Sequence, residues 1–260
     1  RDGIADASDV VITFGGDDVI LAGPGDDEAV RDDLNQLPEQ LVFTVIAGKT
    51  GSGKTRLLHA LEHQGAQVLH LEGLAQHRGS ILGGLPAQAQ PSQKSFEMQL
   101  WSALRRFDPS KPVFVESESR KIGARQVPDA LLNRMRQHGQ CVVLNVPDNA
   151  RVNLLLQDYN FYTQDPALFN QHIEALVPFR GRDTVTQWQA MAQQGHFGEV
   201  FLALMQQHYD PLYLRSIERN FDLQAARDLH LPDADDTSMQ HAAASLLLSS
   251  SPTTRTTTNP

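Results

Sequence analysis

The chain has 260 residues, of which 40% are hydrophobic and 20% charged, and this balance is typical of a globular protein in water. No apolar run approaches the roughly 20 residues that span a bilayer, which argues against a membrane-spanning helix and predicts no membrane partner. The first residues show neither the basic start nor the apolar core of a signal peptide, so we expect a cytoplasmic location. A single cysteine, Cys141, excludes an internal disulfide and a CxxC zinc site.

The net charge of -9 is unevenly distributed along the chain. Residues 1–40 hold 11 acidic and 2 basic side chains, whereas residues 94–136 hold nine basic and five acidic ones. A locally basic stretch on a neutral domain is able to contact a polyanion, although a solvated surface of mixed charge accounts for the same pattern.

Residues 1–40 contain VVITF and DVILAG, which predict short strands, and DDEAVRDDLNQL, which predicts an acidic helix. Forty residues rarely build a core of their own, so we interpret them as an acidic leader. From residue 41 onward, apolar runs predict four strands, LVFTVIA, AQVLHL, PVFVE and CVVLNV. Helical spacing is found in KTRLLHALEHQ, QKSFEMQLWSALRRF and QVPDALLNRMRQH, with a polar, glycine-rich loop over residues 72–92.

The sharpest motif is AGKTGSGKT at residues 47–55, which matches G-x-x-x-x-G-K-[ST] between a buried strand and an amphipathic helix. Glycines let the loop turn its N–H groups toward phosphate oxygens, and the helix start adds partial positive charge. The lysine supplies a mobile cation, and the threonine offers a hydroxyl to Mg²⁺. The predicted phosphate-binding residues are Gly48, Gly51, Ser52, Gly53, Lys54 and Thr55.

Phosphate loops of this kind need a carboxylate at the end of a neighbouring strand to hold the metal. Glu116 ends the predicted strand PVFVE, so we assign Mg²⁺ to Thr55 and Glu116, with Glu118 as a further candidate. HALEH at residues 59–63 matches the H-x-x-E-H zinc motif, but its helix must pack on the sheet, which argues against zinc catalysis. Cys141 begins a predicted strand and is interpreted as an inert packing residue.

The alternation of strands and helices predicts an α/β fold, a doubly wound parallel sheet of the P-loop NTPase type, followed by a helical C-terminal region. We assign residues 41–220 to this P-loop domain. Residues 221–260 end in a polar, low-complexity segment and are predicted to form a disordered tail.

Three further stretches follow the loop in order: LEGLAQHRGSILGGLP (71–86), QPSQKSFE (90–97) and VFVESESRKIG (113–123). Together with GKTGSGKT they resemble the P-loop domain of bacterial tRNA 2-selenouridine synthases, over about residues 41–220. In that family the P-loop domain follows a rhodanese-like domain. The resemblance implies replacement of sulfur by selenium on wobble 2-thiouridine of tRNA, through a geranylated intermediate, with geranyl diphosphate and selenophosphate as donors.

The resemblance also implies which side chains work at the site. Lys54, Glu116, Arg78 and Arg120 become the catalytic candidates, because arginine makes forked contacts with phosphate oxygens. Further candidates in the same motifs are His77, Ser80, Gln93, Lys94 and Glu118. Basic residues between 105 and 136 are expected to meet tRNA phosphates. Aromatic side chains considered for stacking on a base are Trp101, Tyr159, Phe161 and Tyr162.

The family's rhodanese domain carries a reactive cysteine, and this sequence has none before Cys141. We therefore interpret residues 1–40 as a remnant of the connection between the rhodanese and P-loop domains. The chain is then expected to perform part of the reaction, or to work with a separate rhodanese-like protein. Two other interpretations stay open: a P-loop kinase or NTPase that acts on a small molecule, and a non-catalytic remnant that binds tRNA or another partner.

Overall fold

The computed structural model describes residues 10–13, 19–22, 26–84 and 89–250. Its strands are β1 (Val10–Thr13), β2 (Val19–Ala22), β3 (Phe43–Gly48), β4 (Gln67–Leu69), β5 (Val113–Glu116), β6 (Lys121–Ile122), β7 (Arg125–Gln126), β8 (Gln140–Asn145) and β9 (Arg227–His230). Its helices are α1 (Asp26–Gln36), α2 (Lys54–His63), α3 (Leu71–Ala75), α4 (Gln93–Arg106), α5 (Asp129–His138), α6 (Asp148–Asp158), α7 (Asn160–Gln164), α8 (Pro166–Ile173), α9 (Val177–Arg180), α10 (Arg182–Gln193), α11 (Phe197–Leu204), α12 (Asp210–Asn220) and α13 (Asp236–Ser250).

Five strands form a parallel sheet in the order β4-β5-β3-β8-β9. The central strand β3 has all six residues buried, as a parallel strand covered on both faces requires. Two antiparallel hairpins, β1–β2 and β6–β7, stand apart from this sheet. Because the strands are parallel, their carboxyl ends meet at one edge, where the loop after β3 begins.

Helices cover both faces of the sheet. Phe43 and Val45 of β3 pack with residues of α1, α4 and α5 on one face. Ile46 points the opposite way and packs with α2 and α13, since successive side chains of a strand alternate. The predicted doubly wound α/β fold of the P-loop NTPase type is therefore confirmed.

The helical C-terminal region has a core of its own. Helices α6 to α11 enclose aromatic and aliphatic side chains, among them Tyr162, Phe169, Trp188 and Phe201. A π-helical segment, Met205–Tyr209, then leads into α12, which packs against the sheet near Cys141. The predicted helical region after β8 is confirmed.

The acidic leader contributes to the domain core. Val30 and Leu34 lie one helical turn apart on α1, and both are buried against the side chains of α4 and α5. The domain therefore begins earlier than the predicted boundary at residue 41, because α1 has an apolar stripe that its acidic composition conceals.

The predicted disordered tail over residues 221–260 is wrong for residues 227–250. Strand β9 extends the parallel sheet beside β8, and α13 packs on α2. Met239, Ala243 and Leu246 recur at helical spacing and are buried, which explains why this serine-rich stretch folds. Residues 251–260 lie outside the described residues.

Within the described part of the chain, no helix has the length and apolar character needed to cross a membrane.

Candidate functional site

The loop after β3 has the geometry of a phosphate cradle. It turns through a hydrogen bond from Ser52 N to Lys49 O (3.1 Å), and α2 then starts at Lys54. Lys54 Nζ folds back and donates to Gly48 O at 2.9 Å. Ser52 Oγ is fully buried and has no hydrogen-bond partner among the described residues. The loop thus combines a helix start, an ammonium group and an unpartnered hydroxyl.

Two loop glycines are required by backbone conformation and by space. Gly51 has a backbone φ of 75° and Gly53 one of 84°, and residues that carry a side chain rarely adopt such values. A Cβ on Gly53 would lie 2.5 Å from Cε of Met239 in α13. A Cβ on Gly51 would lie 3.0 Å from the carbonyl oxygen of Arg151. Helices α6 and α13 therefore hold the loop from two sides.

A buried arginine also anchors the phosphate loop. Arg151 is 1% exposed and donates to Thr50 O at 2.9 Å. The same guanidinium forms a forked pair with Asp210, with bonds of 2.9 and 2.5 Å, and also reaches Asp148 at 2.8 Å. Charged, planar contacts of this kind are geometrically specific, so they tie α6 and the start of α12 to the loop.

Glu116 ends β5 beside the loop and is 2% exposed. Its Oε1 accepts a hydrogen bond from Glu72 N at 2.7 Å, while Oε2 is buried without a partner among the described residues. Burial raises the pKa of this carboxyl from 4.5 to about 7. Glu116 therefore keeps an acceptor oxygen available to a cation.

Two more carboxylates approach Lys54. Burial raises the pKa of Glu72 and raises that of Glu118 well above its usual range, and the proximity of the two groups adds to the Glu118 shift. Their side chains are hydrogen-bonded to each other, and Glu72 also reaches Thr55. Three carboxylates facing one ammonium favour a divalent cation in this place, and an anionic ligand would need that cation as a bridge.

Arg78 reaches the same place from a tight turn at residues 78–83, which is closed by Arg78 N donating to Gly83 O (2.9 Å). Its Nη1 donates to Asp158 O at 2.6 Å, and the guanidinium lies 5.0 Å from the ring centre of Tyr159. Arg78 therefore brings a second cation to the cleft that the phosphate loop lines.

The family model for the AAA domain of tRNA 2-selenouridine synthase matches residues 41–181, which is more than half of the chain. The chain belongs to this family. The tRNA 2-selenouridine synthase of Nitrosomonas europaea is 36% identical over 148 residues, which cover 56% of this chain and 37% of that protein. The synthase of Aeromonas salmonicida is 33% identical over 241 residues, 82% of this chain and 63% of that protein.

The chain thus spans less than two thirds of the length of these curated relatives. A solved structure of shikimate kinase from Bacteroides thetaiotaomicron is 13% identical, with a TM-score of 0.31, and it covers 80% of this chain and 98% of that one. A similarity at that score carries no argument about function.

In this synthase-family AAA domain the loop, Glu72, Glu118 and Arg78 line one cleft of about 640 Å³, and Glu116 adjoins it through its hydrogen bond from Glu72 N. The mouth of the cleft is apolar, since Ile81, Phe179 and Leu212 are 40%, 64% and 45% exposed there. Ser80 and Tyr159 also line it. One end of the cleft therefore suits phosphate and the other end suits hydrocarbon.

Other predicted residues of the AAA domain lie outside this cleft. Arg120 forms an exposed ion pair with Asp129 at 2.8 Å, so the structure does not bring it to the loop. The side-chain amide of Gln93 donates to Gln126 O and accepts from Gln126 N, which gives Gln93 a structural role at the β6–β7 hairpin. Lys94 does not appear among the residues that line the cleft.

His77 lies beside the cleft and shapes the turn that carries Arg78. Its Nδ1 accepts from Gly79 N at 3.1 Å, and burial lowers its pKa. Of the aromatic residues considered for base stacking, Trp101 donates to Asp33 at 2.8 Å on the α1 side, and Tyr162 is fully buried in the helical region. Tyr159 alone among these four lines the described cleft.

The sequence predictions missed Glu72, Arg151 and the apolar mouth. Glu72 follows the strand β4 by three residues, so the same rule that pointed to Glu116 would have found it. Arg151 carried no signal, because its partner Asp210 lies 59 positions further along the chain. Phe179 and Leu212 lie in helices with no visible link to the loop in sequence.

Proposed function

We propose that this chain is a tRNA-modifying transferase that acts on wobble 2-thiouridine, with geranyl diphosphate, selenophosphate or both as donors. Membership of the synthase AAA family supports the tRNA substrate. The observation that carries the donor class is the amphiphilic cleft, which joins a phosphate cradle at Lys54 to exposed apolar side chains at Ile81, Phe179 and Leu212.

In this proposal the diphosphate lies on the loop. Backbone N–H groups, Lys54 and Arg78 stabilise the charge that develops as the diphosphate leaves. The geranyl chain follows the apolar mouth, and the thiocarbonyl sulfur of the base attacks C1 of the geranyl group as the bond from C1 to the diphosphate oxygen breaks. The tRNA is a partner that meets the domain mainly through phosphate contacts.

Mg²⁺ fits the residues present. Glu116 keeps a buried oxygen that has no partner among the described residues, and Thr55 is exposed at the start of α2 next to Glu72. These oxygen ligands suit a hard cation. When bound, Mg²⁺ supplies positive charge to the phosphate oxygens, while Lys54 and Arg78 hold the donor in place.

Selenation is the second half of the proposal. The described cleft contains no cysteine, since Cys141 is buried in β8 and burial raises its thiol pKa to about 11. A rhodanese-like protein or domain would therefore supply the reactive thiol that the family's selenium exchange needs, and we propose it as a partner.

Calorimetric titration with geranyl diphosphate, dimethylallyl diphosphate and inorganic pyrophosphate, each with Mg²⁺, tests the donor class. Geranyl diphosphate carries five more carbons than the dimethylallyl compound, and burying about half of them predicts roughly 30-fold tighter binding. Lys54→Ala should lower the affinity for all three ligands.

Leu212→Ser and Leu214→Ser form a matched pair, because the two leucines are 45% and 44% exposed on the same helix and only Leu212 lines the cleft. Leu212→Ser should lower the affinity for geranyl diphosphate by about five-fold and leave the affinity for pyrophosphate unchanged. Equal affinities for geranyl diphosphate and pyrophosphate, or equal effects of the two serine variants, would show that the apolar mouth does not hold the donor.

A further inference from the structure

A second cluster of potential ligands lies on the exposed face of α2, where His59 also lines the edge of the cleft. His59 and Glu62 are three residues apart on this helix, so they share one side of it. His70 follows β4 and comes to the same place. His70 Nε2 lies 3.2 Å from Glu62 Oε2, and His59 Nδ1 lies 3.7 Å from the same oxygen. All three ligand atoms lie within 4.8 Å of one another.

These spacings match a metal site. Zinc–nitrogen and zinc–oxygen bonds of about 2.0–2.1 Å at tetrahedral angles place neighbouring ligand atoms roughly 3.3–3.5 Å apart. The observed 3.2 and 3.7 Å lie on either side of that value. The two imidazole rings are stacked, with centroids 4.6 Å apart. Because the ring planes are 28° apart and imidazole lone pairs lie in the ring plane, the 57% exposed side chain of His59 must rotate for both nitrogens to face one ion.

The donor atoms select the class of metal. Two imidazole nitrogens and one carboxylate oxygen suit Zn²⁺, Co²⁺ or Ni²⁺ better than Mg²⁺, which prefers oxygen ligands. His59 and Glu62 have side chains 57% and 50% exposed, so solvent reaches the cluster and a fourth position stays open to water. His70 is 21% exposed and anchors the cluster to the body of the domain.

We propose that His59, Glu62 and His70 form a binding site for a divalent transition-metal ion such as Zn²⁺, separate from the Mg²⁺ ligands of the phosphate loop. The sequence motif HALEH pairs His59 and Glu62 with His63, whereas the folded chain replaces His63 with His70. Bound metal connects α2 to the start of α3, two residues before Glu72. The ion thereby fixes the segment that carries Glu72, a carboxylate that lines the cleft.

The test is calorimetric titration of metal-stripped full-length chain with Zn²⁺ in excess Mg²⁺, which occupies oxygen ligands in the cleft. The wild type should bind one equivalent. His59→Ala and His70→Ala should each weaken binding by at least about ten-fold, the smallest effect that loss of a metal-supporting partner has. His63→Ala is the matched control, because His63 is an exposed histidine in the same helix, and it should bind Zn²⁺ as the wild type does.

Thermal unfolding in EDTA checks that each variant folds, and equal melting temperatures are expected because His59 is exposed and His70 half-buried. Added Zn²⁺ should raise the melting temperature of the wild type and of His63→Ala and should leave that of His70→Ala unchanged. The proposal is overturned if the wild type binds no stoichiometric Zn²⁺. It is also overturned if His63→Ala loses as much affinity as His59→Ala and His70→Ala.

Discussion

Replacing Glu116 with glutamine should change how the stability of the protein depends on pH. The carboxyl is 2% exposed, and burial raises its pKa from 4.5 to about 7. The folded chain therefore binds an extra proton between these two values, which the unfolded chain releases. Because the pKa is raised on folding, the contribution of Glu116 to the free energy of unfolding falls as pH rises from about 4.5 to 7, and that contribution is constant above this window.

The size of the effect follows from the shift. A rise of the pKa from 4.5 to about 7, at roughly 1.4 kcal/mol per pH unit, makes about 3.5 kcal/mol in total. About 3 kcal/mol of this falls between pH 4.5 and pH 8, because the unfolded carboxyl is already half ionised at pH 4.5. Glu116→Gln removes this titration but keeps an oxygen to accept from Glu72 N. Its amide would take the position of the unpartnered Oε2, at a cost of about 1–3 kcal/mol that does not vary with pH.

Urea unfolding followed by circular dichroism, in chelator at pH 4.5 and pH 8, measures this difference. The wild type should lose about 3 kcal/mol more stability over the interval than Glu116→Gln does. Glu218→Gln, which makes the same charge change at an exposed position, should follow the wild type. Parallel pH profiles for the wild type and Glu116→Gln would refute the burial of a carboxyl with a raised pKa at this place.

Three further predictions concern the frame around the loop. Arg151→Met should lower the free energy of unfolding by up to about 3–5 kcal/mol in urea, because buried Asp210 then keeps only its 3.6 Å contact with Lys49. Restoration of stability by Asp210→Asn would confirm the pairing with Arg151, and a loss near zero would contradict it. Leu246→Ala should cost about 2–4 kcal/mol in the same assay, whereas a dispensable tail predicts no change. Gly53→Ala should reduce affinity for pyrophosphate, since it strains a residue at φ 84° and contacts Met239, and normal affinity would argue against the loop geometry.

The sequence predicted the sheet well, because the buried parallel strands are continuous apolar runs. LVFTVIA became β3, and the loop motif fixed the position of α2. A rule about strand ends pointed to Glu116, which lies at the end of β5 beside β3, and the family motif pointed to Arg78, which lines the cleft; the roles of both stay predictions. Local patterns and a specific motif carry these features, so no distant contact is needed to predict them.

The remaining features depend on contacts between distant parts of the chain. Strand β9, with the sequence RDLH, is an exposed edge strand, so its composition gives no strand signal. Helix α13 was hidden by its serine-rich surroundings, although Met239, Ala242, Ala243 and Leu246 keep helical spacing. Gln93 and Arg120 share motifs with site residues, yet Gln93 bonds to the β6–β7 hairpin and Arg120 forms an exposed ion pair. A sequence motif predicts which segments lie near the site, but the three-dimensional fold determines which of their side chains line the cleft.

The most direct test of the proposed function is the chemical state of tRNA after incubation. Purified chain is mixed with tRNA that bears 2-thiouridine, geranyl diphosphate and Mg²⁺, and the digested nucleosides are separated and weighed by mass spectrometry, with the Aeromonas salmonicida relative as the positive control. We predict S-geranylated 2-thiouridine with the wild type and none with Lys54→Ala. Unchanged tRNA alongside an active relative, together with turnover of ATP by this chain, would contradict the account and indicate a small-molecule kinase or NTPase.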